Sequence, residues 1–453
     1  MGRVVVVGAG ITGLTAAYAW SRTRPDDEVV VLEAGDRVGG KLGRVRLAGA
    51  WYDTGPEAVL ARVPEALELI AELGLTAIAP STTQAAVVLP DGRHPLPAGT
   101  LLGVPTSAEG LETLLSPEGV ARVRAEASLQ PLHFVDDAPV GALLRDRLGD
   151  EVVDRLVEPL LGGVYAGQAD RLSLAATMPA LAAHLPRHGT VLAAAAAARD
   201  AGARSREGAT ADAPVFATVA EGIGSLPDAL VAASGAVLRL RTPAHGLRRV
   251  GAGFELTVGA DREVLTADSV VVTVPAGKAA RLLADVAPDA VEPLQGIPYA
   301  SMAVVAMAFP GQHLASGSGL LVPPVSGRLV KGVTVSSQKW PHLSGDGLLR
   351  VRSSVGRYLE EDQLQRADDD LTAAVVADVA DLLALERPEP VETHLVRWGG
   401  GLPQYLVGHP ARVAAVDAAV AAVPGLAVAG AAYRGVGVPA CIRDARRAVA
   451  SLT

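Results

Sequence analysis

The 453-residue sequence has a single cysteine, Cys441, and few aromatic side chains, which make up 3% of it. A single cysteine excludes an internal disulfide and a thiolate metal cluster, and it is typical of a reducing cytoplasm. The histidine pair His184 and His188 is not expected to bind metal, because Pro186 between them interrupts the helical spacing. The sequence therefore predicts no metal site.

Long uncharged segments are also absent: none reaches the ~20 residues that a membrane-spanning helix needs. The apolar start of the chain, residues 1–20, is broken by glycines and lacks the cleavage pattern of a signal peptide. We expect a cytoplasmic protein without a transmembrane segment, and peripheral membrane attachment stays open. The net charge of −9, without a Lys/Arg cluster, argues against nucleic acid as a partner.

Hydrophobic residues make up 49% of the chain, which is long enough for two or three domains. Residues 3–7, 13–21 and 28–32 read as strand, helix and strand, which is one βαβ unit. Further predicted helices are 64–73 (ended by Gly74), 368–383 and 439–452, and further predicted strands are 237–240, 254–258, 269–274, 300–309, 348–355 and 426–429.

Two stretches lack a clear strand pattern. Residues 76 to about 192 are punctuated by proline and read as largely helical. Residues 199–214, RDAGARSREGATADAP, are small, charged and aperiodic, which predicts a mobile loop.

The motif VVVVGAGITGL places Gly8, Gly10 and Gly13 in the spacing G-x-G-x-x-G, directly after a strand and at the start of a helix. Such glycines allow a tight turn, a close approach to a pyrophosphate and close packing of helix on strand. Glu33 follows Gly13 by 20 residues at the end of the second strand, where a carboxylate can bind ribose hydroxyls. The sequence predicts a dinucleotide site, which NAD and FAD fit equally well at this point.

Three further segments distinguish FAD from NAD as the expected cofactor: EAGDRVGGKL, WYDTGPEAVL and LAVAGAAYRGVGVPACIRDARRAV. They resemble the signatures of flavoprotein oxidases of the amine-oxidase and protoporphyrinogen-oxidase superfamily, which implies non-covalent FAD. The helix that begins near Pro439 would then direct its positive end at the flavin and stabilise the reduced anion. The residues expected to bind the cofactor are Gly8, Gly10, Ile11, Thr12, Gly13, Glu33, Ala34, Arg37, Gly40, Lys41, Gly55, Pro56, Gly430, Gly437 and Val438.

Five segments make the resemblance specific to bacterial protoporphyrinogen/coproporphyrinogen oxidases: DTGPEAVLARVPEALELIAELGL, LPAGTLLGVPTS, VEPLLGGVYAGQADRLSL, KGVTVSSQKWPH and RWGGGLPQYLVGH. Members of this family remove six hydrogens from a porphyrinogen in three flavin cycles, with O2 as acceptor and H2O2 as by-product. The resemblance implies an α/β fold with a Rossmann-type FAD-binding domain assembled from discontinuous segments. The predicted domains are residues 1–75, 205–290 and 398–453 for FAD, a helical substrate-side subdomain at 76–204, and a mixed α+β substrate domain at 291–397.

Candidate residues near the substrate follow from the same resemblance. Gly163 matches a position whose carbonyl faces the pyrrole nitrogens, although Gly162, Gly163 and Gly167 also fit a packing turn. Trp340 and Trp398 are expected in the core, and His409 is expected to brace a loop. The predicted catalytic residues are Gly163, Lys331, Lys339 and Tyr405, and the predicted substrate contacts are Arg44, Arg62, Val164 and Tyr165.

The composition of the chain bears on the substrate. The Ala-, Arg- and Gly-rich composition, with four lysines, is typical of high-GC actinomycetes, and Gram-positive members of the family use coproporphyrinogen III. Protoporphyrinogen IX is the alternative, and a transient contact with ferrochelatase stays open. An amine or polyamine oxidase would need an aromatic cage, and a tetrapyrrole carrier would not need the intact flavin motifs. Two departures from the family are a LPAGTLLGVPTS segment without a basic residue and the segment 199–214.

Overall fold

The computed structural model describes residues 2–204, 214–312 and 314–453. The strands are β1 (Arg3–Val7), β2 (Glu28–Leu32), β3 (Arg44–Leu47), β4 (Ala50–Asp53), β5 (Val59–Leu60), β6 (Ala77–Ile78), β7 (Ala85–Leu89), β8 (Gly92–Pro95), β9 (Thr100–Leu101), β10 (Val104–Pro105), β11 (Phe216–Val219), β12 (Val237–Arg239), β13 (Ala244–Val250), β14 (Gly253–Val258), β15 (Glu263–Ala267), β16 (Ser269–Val272), β17 (Tyr299–Pro310), β18 (Gly319–Leu321), β19 (Gly332–Thr334), β20 (Leu348–Val355), β21 (Glu392–Pro403) and β22 (Leu426–Val428).

The helices are spread along the same ranges, with one π-helical turn between the fifth and the sixth. They are α1 (Ile11–Thr23), α2 (Pro64–Glu72), α3 (Pro117–Ala125), α4 (Val140–Leu148), α5 (Asp150–Val152), α6 (Glu158–Tyr165), α7 (Leu174–Thr177), α8 (Pro179–His188), α9 (Val191–Arg204), α10 (Leu226–Ser234), α11 (Ala276–Leu283), α12 (Val291–Gln295), α13 (Ser336–Lys339), α14 (Asp368–Leu383), α15 (His409–Ala421) and α16 (Val438–Ala450).

A parallel sheet of order β12-β2-β1-β16-β22 collects strands from three distant parts of the chain. Its strands are nearly continuous apolar runs because both faces are covered. Val4 and Val6 face a core with α1, α10 and α16, whereas Val5 and Val7 face the antiparallel sheet β13-β14-β15 and helix α11. The predicted discontinuous Rossmann-type fold is confirmed.

A seven-stranded sheet of order β21-β17-β20-β19-β18-β7-β8 forms the second layer. On one face of its long strand β17, Val305 and Met307 pack against Val375 of α14. On the other face, Ala306 and Ala308 pack near Trp340 and the β3-β4 hairpin. The sheet is thereby fixed against the segment that leads into the nucleotide fold. The domain boundaries stay a prediction.

Three local predictions were wrong. Residues 76–192 are not largely helical at their start, because β7 and β8 form a hairpin that extends the seven-stranded sheet. The expected loop at 199–214 begins later, since the Ala-rich helix α9 continues to Arg204; residues 205–213 lie outside the described residues. Pro186 does not interrupt its helix, because Leu181 and Leu185 anchor α8 in the core. The rings of His184 and His188 lie 5.6 Å apart.

Two predictions concern features that are expected to be absent, a metal site and a membrane-spanning helix. Within residues 2–204, 214–312 and 314–453, no group of three or more His, Cys, Asp or Glu side chains could hold a metal ion. None of the helices in these ranges is long and apolar enough to span a bilayer.

Candidate active site

The turn between β1 and α1 is built for close contact with a phosphate. Gly8 has φ +109°, and a Cβ on Gly13 would overlap the carbonyl oxygen of Gly8, so both positions require glycine. A Cβ on Gly10 would meet no atom within 4 Å, which leaves open space in front of the start of α1. Ile11 and Thr12 begin that helix, and its first N–H groups lack intrahelical partners. This end of the sheet is suited to an anion such as a pyrophosphate.

Glu33 braces the same turn from the end of β2. Its Oε2 accepts a hydrogen bond from the backbone N–H of Ala9 at 2.9 Å, and its Oε1 accepts one from Gly35 at 2.7 Å. A carboxylate has about four lone-pair sites, so acceptor capacity is left for ribose hydroxyls. The neighbouring Ala34 is exposed. The predicted acidic residue therefore stands next to the glycine turn.

A second glycine turn packs directly on the first. Gly39 donates its N–H to the Ala9 carbonyl at 2.7 Å, and a Cβ on Gly40 would lie 3.3 Å from the Cα of Gly10. Arg37 donates to the carbonyl oxygens of Val38 at 3.1 Å and Gly40 at 2.8 Å, which fixes the shape of this turn.

The segment after β4 closes the same region. A Cβ on Gly55 would overlap the carbonyl oxygen of Lys41, so the two backbones touch. Burial lowers the pKa of Lys41. Pro56 follows Gly55 and is exposed. Four predicted positions from two distant motifs, Gly40, Lys41, Gly55 and Pro56, are thus brought together.

The C-terminal part of the chain reaches the cradle through residues 430–437. Gly430 donates its N–H to Asp444 at 2.9 Å, and a Cβ there would lie 3.8 Å from Oγ1 of Thr12. Gly437 caps the N-terminus of α16, which begins at Val438, one residue before the predicted start near Pro439. Together, four backbone segments form a cradle around the start of α1, and this cradle fits a dinucleotide. The segments are residues 8–13, 39–41, 55–56 and 430–437.

Tyr405 holds this C-terminal segment in place. Its hydroxyl donates to the carbonyl of Ala431 at 2.6 Å and accepts from the N–H of Gly435 at 2.8 Å. Its ring stacks on His409 with 3.8 Å between centroids, and Nε2 of His409 lies 3.1 Å from the carbonyl of Tyr433. Burial lowers the pKa of His409 to about 4, so a neutral ring donates this bond at neutral pH. His409 braces a loop as expected.

The glycine-rich stretch at 162–167 is helical for most of its length. Gly162 and Gly163 lie in the last turns of α6, so the alternative interpretation of a packing turn at these two positions was wrong. The last helical residue is Tyr165, and the capping residue Ala166 after it has φ +48°. Gly163 and Val164 are exposed, and a Cβ on Gly163 would meet no atom within 4 Å. The carbonyls of a last helical turn lack intrahelical partners. The exposed backbone of α6 is therefore available to a flat ligand.

Tyr165 and Gly167 have packing roles at the end of α6. Tyr165 is buried, and its carbonyl accepts a hydrogen bond from the amide of Gln404 at 2.7 Å. A Cβ on Gly167 would come within 2.6 Å of Oε1 of Gln404. Gln404 is a residue that the sequence reasoning missed, and its position in the LPQY motif was the available signal.

The side chain of Lys339 is already paired. Its Nζ donates to Oε1 of Glu57 at 2.7 Å and lies about 5 Å from the rings of Phe216 and Trp340. Burial would raise the pKa of Glu57, but the charges of Lys339 and Arg352 outweigh it and hold the pKa low. Trp340 is in the core as expected, whereas Trp398 is half-buried beside Arg37.

The two predicted substrate arginines lie on the nucleotide side of the chain. Arg44 forms ion pairs with Glu221 at 2.6 Å and Asp228 at 3.2 Å, and it stacks over Trp51. Arg62 is exposed just before α2. The structure therefore does not bring Arg44 to a free position where it could bind a ligand carboxylate.

Lys331 lies beside a cation that the sequence reasoning missed. Both Lys331 and Arg357 are buried, and they flank Val322 at the end of the seven-stranded sheet that faces α6. The only sequence signal for Arg357 was its position directly after Gly356 at the end of a predicted strand.

Comparison with known proteins agrees with this geometry. The sequence profile of the family "flavin containing amine oxidoreductase" matches residues 11–453. The coproporphyrinogen III oxidases of Mycobacterium leprae and Bacillus subtilis are 39% and 32% identical to this chain; they cover 99% and 98% of it, and it covers 97% of each. The solved structure of an Exiguobacterium protein named as a protoporphyrinogen oxidase aligns with a TM-score of 0.86 and 33% identity, over 100% of this chain and 98% of that one. The chain is a flavin-dependent enzyme and belongs to the flavin containing amine oxidoreductase family.

Proposed function

We propose that this chain oxidises coproporphyrinogen III to coproporphyrin III in haem biosynthesis, with non-covalent FAD as cofactor. The observation that carries the proposal is the backbone cradle formed by four distant segments, in a chain similar over its full length to coproporphyrinogen III oxidases. When bound, FAD supplies the two-electron oxidation, and O2 as acceptor gives three H2O2 for the six hydrogens removed.

The residues of the cradle have distinct tasks. The backbone at Gly8, Gly10 and Gly13 would let the pyrophosphate approach the start of α1, and Glu33 would accept hydrogen bonds from ribose hydroxyls. The turn at 39–41 and the segment 55–56 would help to hold the cofactor. The N-terminus of α16, at Gly437 and Val438, would stabilise negative charge on a reduced flavin.

The surface of α6 supports a macrocyclic substrate. Gly163 offers a carbonyl without a side chain beside it, and Val164 adds an exposed apolar contact. A carbonyl oxygen there can accept a hydrogen bond from a pyrrole N–H and orient the ring. Removal of hydrogens is driven by growing conjugation of the macrocycle, so the protein mainly positions the substrate and needs no strong base.

An oxidase assay tests the proposal. The purified protein should show a yellow flavin spectrum and should accelerate the rise of porphyrin fluorescence under air with coproporphyrinogen III. No acceleration over the uncatalysed rate, with either porphyrinogen, would refute porphyrinogen oxidation. A faster reaction with protoporphyrinogen IX would instead assign that substrate, and oxidation of putrescine but neither porphyrinogen would assign an amine oxidase.

A further inference from the structure

Two buried basic side chains, Lys331 and Arg357, lie near each other in the substrate-side half of the chain. As whole residues, Lys331 is 5% exposed and Arg357 is 9% exposed. Val322 joins them, since its N–H donates to the carbonyl of Lys331 at 3.0 Å and its carbonyl accepts from Nη2 of Arg357 at 3.3 Å. Neither Nζ of Lys331 nor Nε of Arg357 has a hydrogen-bond partner among the residues that the structure describes.

The nearby carboxylates do not satisfy these donors. Oε2 of Glu360 lies 3.8 Å from Nη1 of Arg357, and its side chain is half exposed. Glu158 accepts the N–H of Ala169 at 2.6 Å, and burial raises its pKa. Unpaired N–H donors on two neighbouring buried basic groups are unfavourable in a protein interior, and burial together with the charge of Arg357 lowers the pKa of Lys331 to about 7. An anion placed between the two side chains would remove that penalty.

Arg357 lies close to the C-terminal end of α6. Nε of Arg357 lies 3.8 Å from where a Cβ of Gly162 would be, and the N–H of Tyr358 donates to the carbonyl of Ala166 at 2.7 Å. Arg357 therefore lies against the end of the helix whose exposed side carries Gly163 and Val164, and Lys331 is linked to it through Val322. The negative end of a helix dipole favours cations at this place.

We propose that Lys331 and Arg357 form a carboxylate-binding subsite that receives one propionate of the tetrapyrrole. This inference rests on the proposed function. The planar fork of Arg357 can bind a carboxylate through two parallel hydrogen bonds, and Lys331 adds a point charge from the adjacent strand. The two residues position the macrocycle on α6 and take no part in hydride transfer.

Titration of coproporphyrin III into the flavin-loaded protein tests the subsite. Lys331→Met and Arg357→Gln should each weaken coproporphyrin binding by about tenfold or more, because each loses a charge-assisted hydrogen bond. Coproporphyrin tetramethyl ester, which has no charged carboxylate, should bind all proteins alike. Lys278→Met, which removes an exposed lysine, is the matched control and should leave both affinities unchanged.

Stability gives a second readout that does not depend on activity. Removal of an unpaired buried charge should leave the Tm of Lys331→Met equal to or above that of the wild type without ligand. A structural ion pair would instead give a lower Tm and unchanged coproporphyrin affinity, and this would overturn the proposal. If Arg357→Gln does not fold, Arg357→Lys, which loses the fork and keeps the charge, takes its place and should also bind more weakly.

The outcome separates this inference from the proposed function. Wild-type protein that binds coproporphyrin through Lys331 and Arg357 but oxidises no porphyrinogen would refute the function and retain the subsite. Equal affinities in Lys331→Met, Lys278→Met and wild type would refute the subsite, whatever the oxidase assay shows. The same holds if the wild type binds no coproporphyrin.

Discussion

At the scale of single residues, Gly163 offers a test of substrate contact that is separate from folding. Its Cβ position is open and its φ is ordinary for a helix, so a side chain there displaces no atom of the protein. We expect Gly163→Val to abolish porphyrinogen oxidation while the flavin spectrum and Tm stay unchanged, because the branched side chain would occupy the space of the macrocycle. Gly163→Ala should retain more activity. Full activity in the valine variant, measured by porphyrin fluorescence, would contradict contact at this position.

The carboxyl of Asp53 makes a pH-dependent contribution to stability. Burial raises its pKa to about 7 in the folded chain, whereas an unfolded chain has a value of about 3.9. Between these values the folded state binds the proton more tightly, so the free energy of unfolding falls as pH rises through the window. Asp53→Asn, which can still accept a hydrogen bond from Ile223 or Gly224, should lose this part of the decline.

The measurement for Asp53 is Tm from about pH 5 to about pH 8 in the wild type and the variant. The exposed Asp285→Asn serves as a control for loss of one carboxylate and should follow the wild-type curve. If Asp53→Asn and the wild type decline in parallel, the pH dependence has another origin.

At the scale of elements, α1 depends on a glycine for its contact with β1. The side chain of Gly13→Ala would overlap the Gly8 carbonyl and crowd Oγ1 of Thr273 at 2.7 Å. We expect overpacking to cost about 1–3 kcal/mol in the free energy of unfolding and to abolish flavin retention. Gly277→Ala, in the first turn of α11 with open space around it, should be neutral or stabilising. Chemical denaturation and flavin absorbance measure both effects, and flavin retained by Gly13→Ala would contradict the role of this contact.

The segment 430–437, between β22 and α16, is held by the hydroxyl of Tyr405. Tyr405→Phe leaves the carbonyl of Ala431 and the N–H of Gly435 without this partner, which should cost about 1–3 kcal/mol of stability. Flavin affinity, measured by fluorescence titration, should fall several-fold with it. Tyr18→Phe, on α1, removes a hydroxyl without a hydrogen bond among the described residues and is the control. Equal flavin affinity in both variants would show that the segment is fixed by other contacts.

At the scale of the whole molecule, the cofactor cradle and the parallel sheet share the same strands. β1, β16 and β22 come from distant parts of the chain, and each leads directly into a segment near the cradle. We therefore expect flavin release and loss of secondary structure to occur together on heating, as one transition. Flavin fluorescence and circular dichroism followed in parallel would measure this. Release of flavin well below the loss of helix signal would indicate that the cradle opens independently.

The sequence predicted those features of the structure that depend on residues close together in the chain. Val4 to Val7 read as a buried strand because both faces are covered, and Gly8 and Gly13 are required by the backbone conformation and contact within one turn. The helical state of Gly162 and Gly163 was missed because it depends on packing of α6, not on glycine propensity. Arg357 was missed because its burial beside Lys331 results from pairing of strands far apart in sequence. Short strands such as β7 and β8 have too few residues for a clear period.

The order of the parallel sheet also has a consequence for synthesis on the ribosome. β1 and β2 emerge first, but β16, which pairs with β1, begins at Ser269, and β22, which pairs with β16, begins at Leu426. The turn at Gly8–Gly13 is therefore synthesised early. It follows strand β1, whose apolar edge stays unpaired until more than half of the chain has been translated. The cradle is complete only after residues 430–437 have emerged, and the nascent chain depends on protection of the edge of β1 until β16 pairs with it, and of the edge of β16 until β22 does.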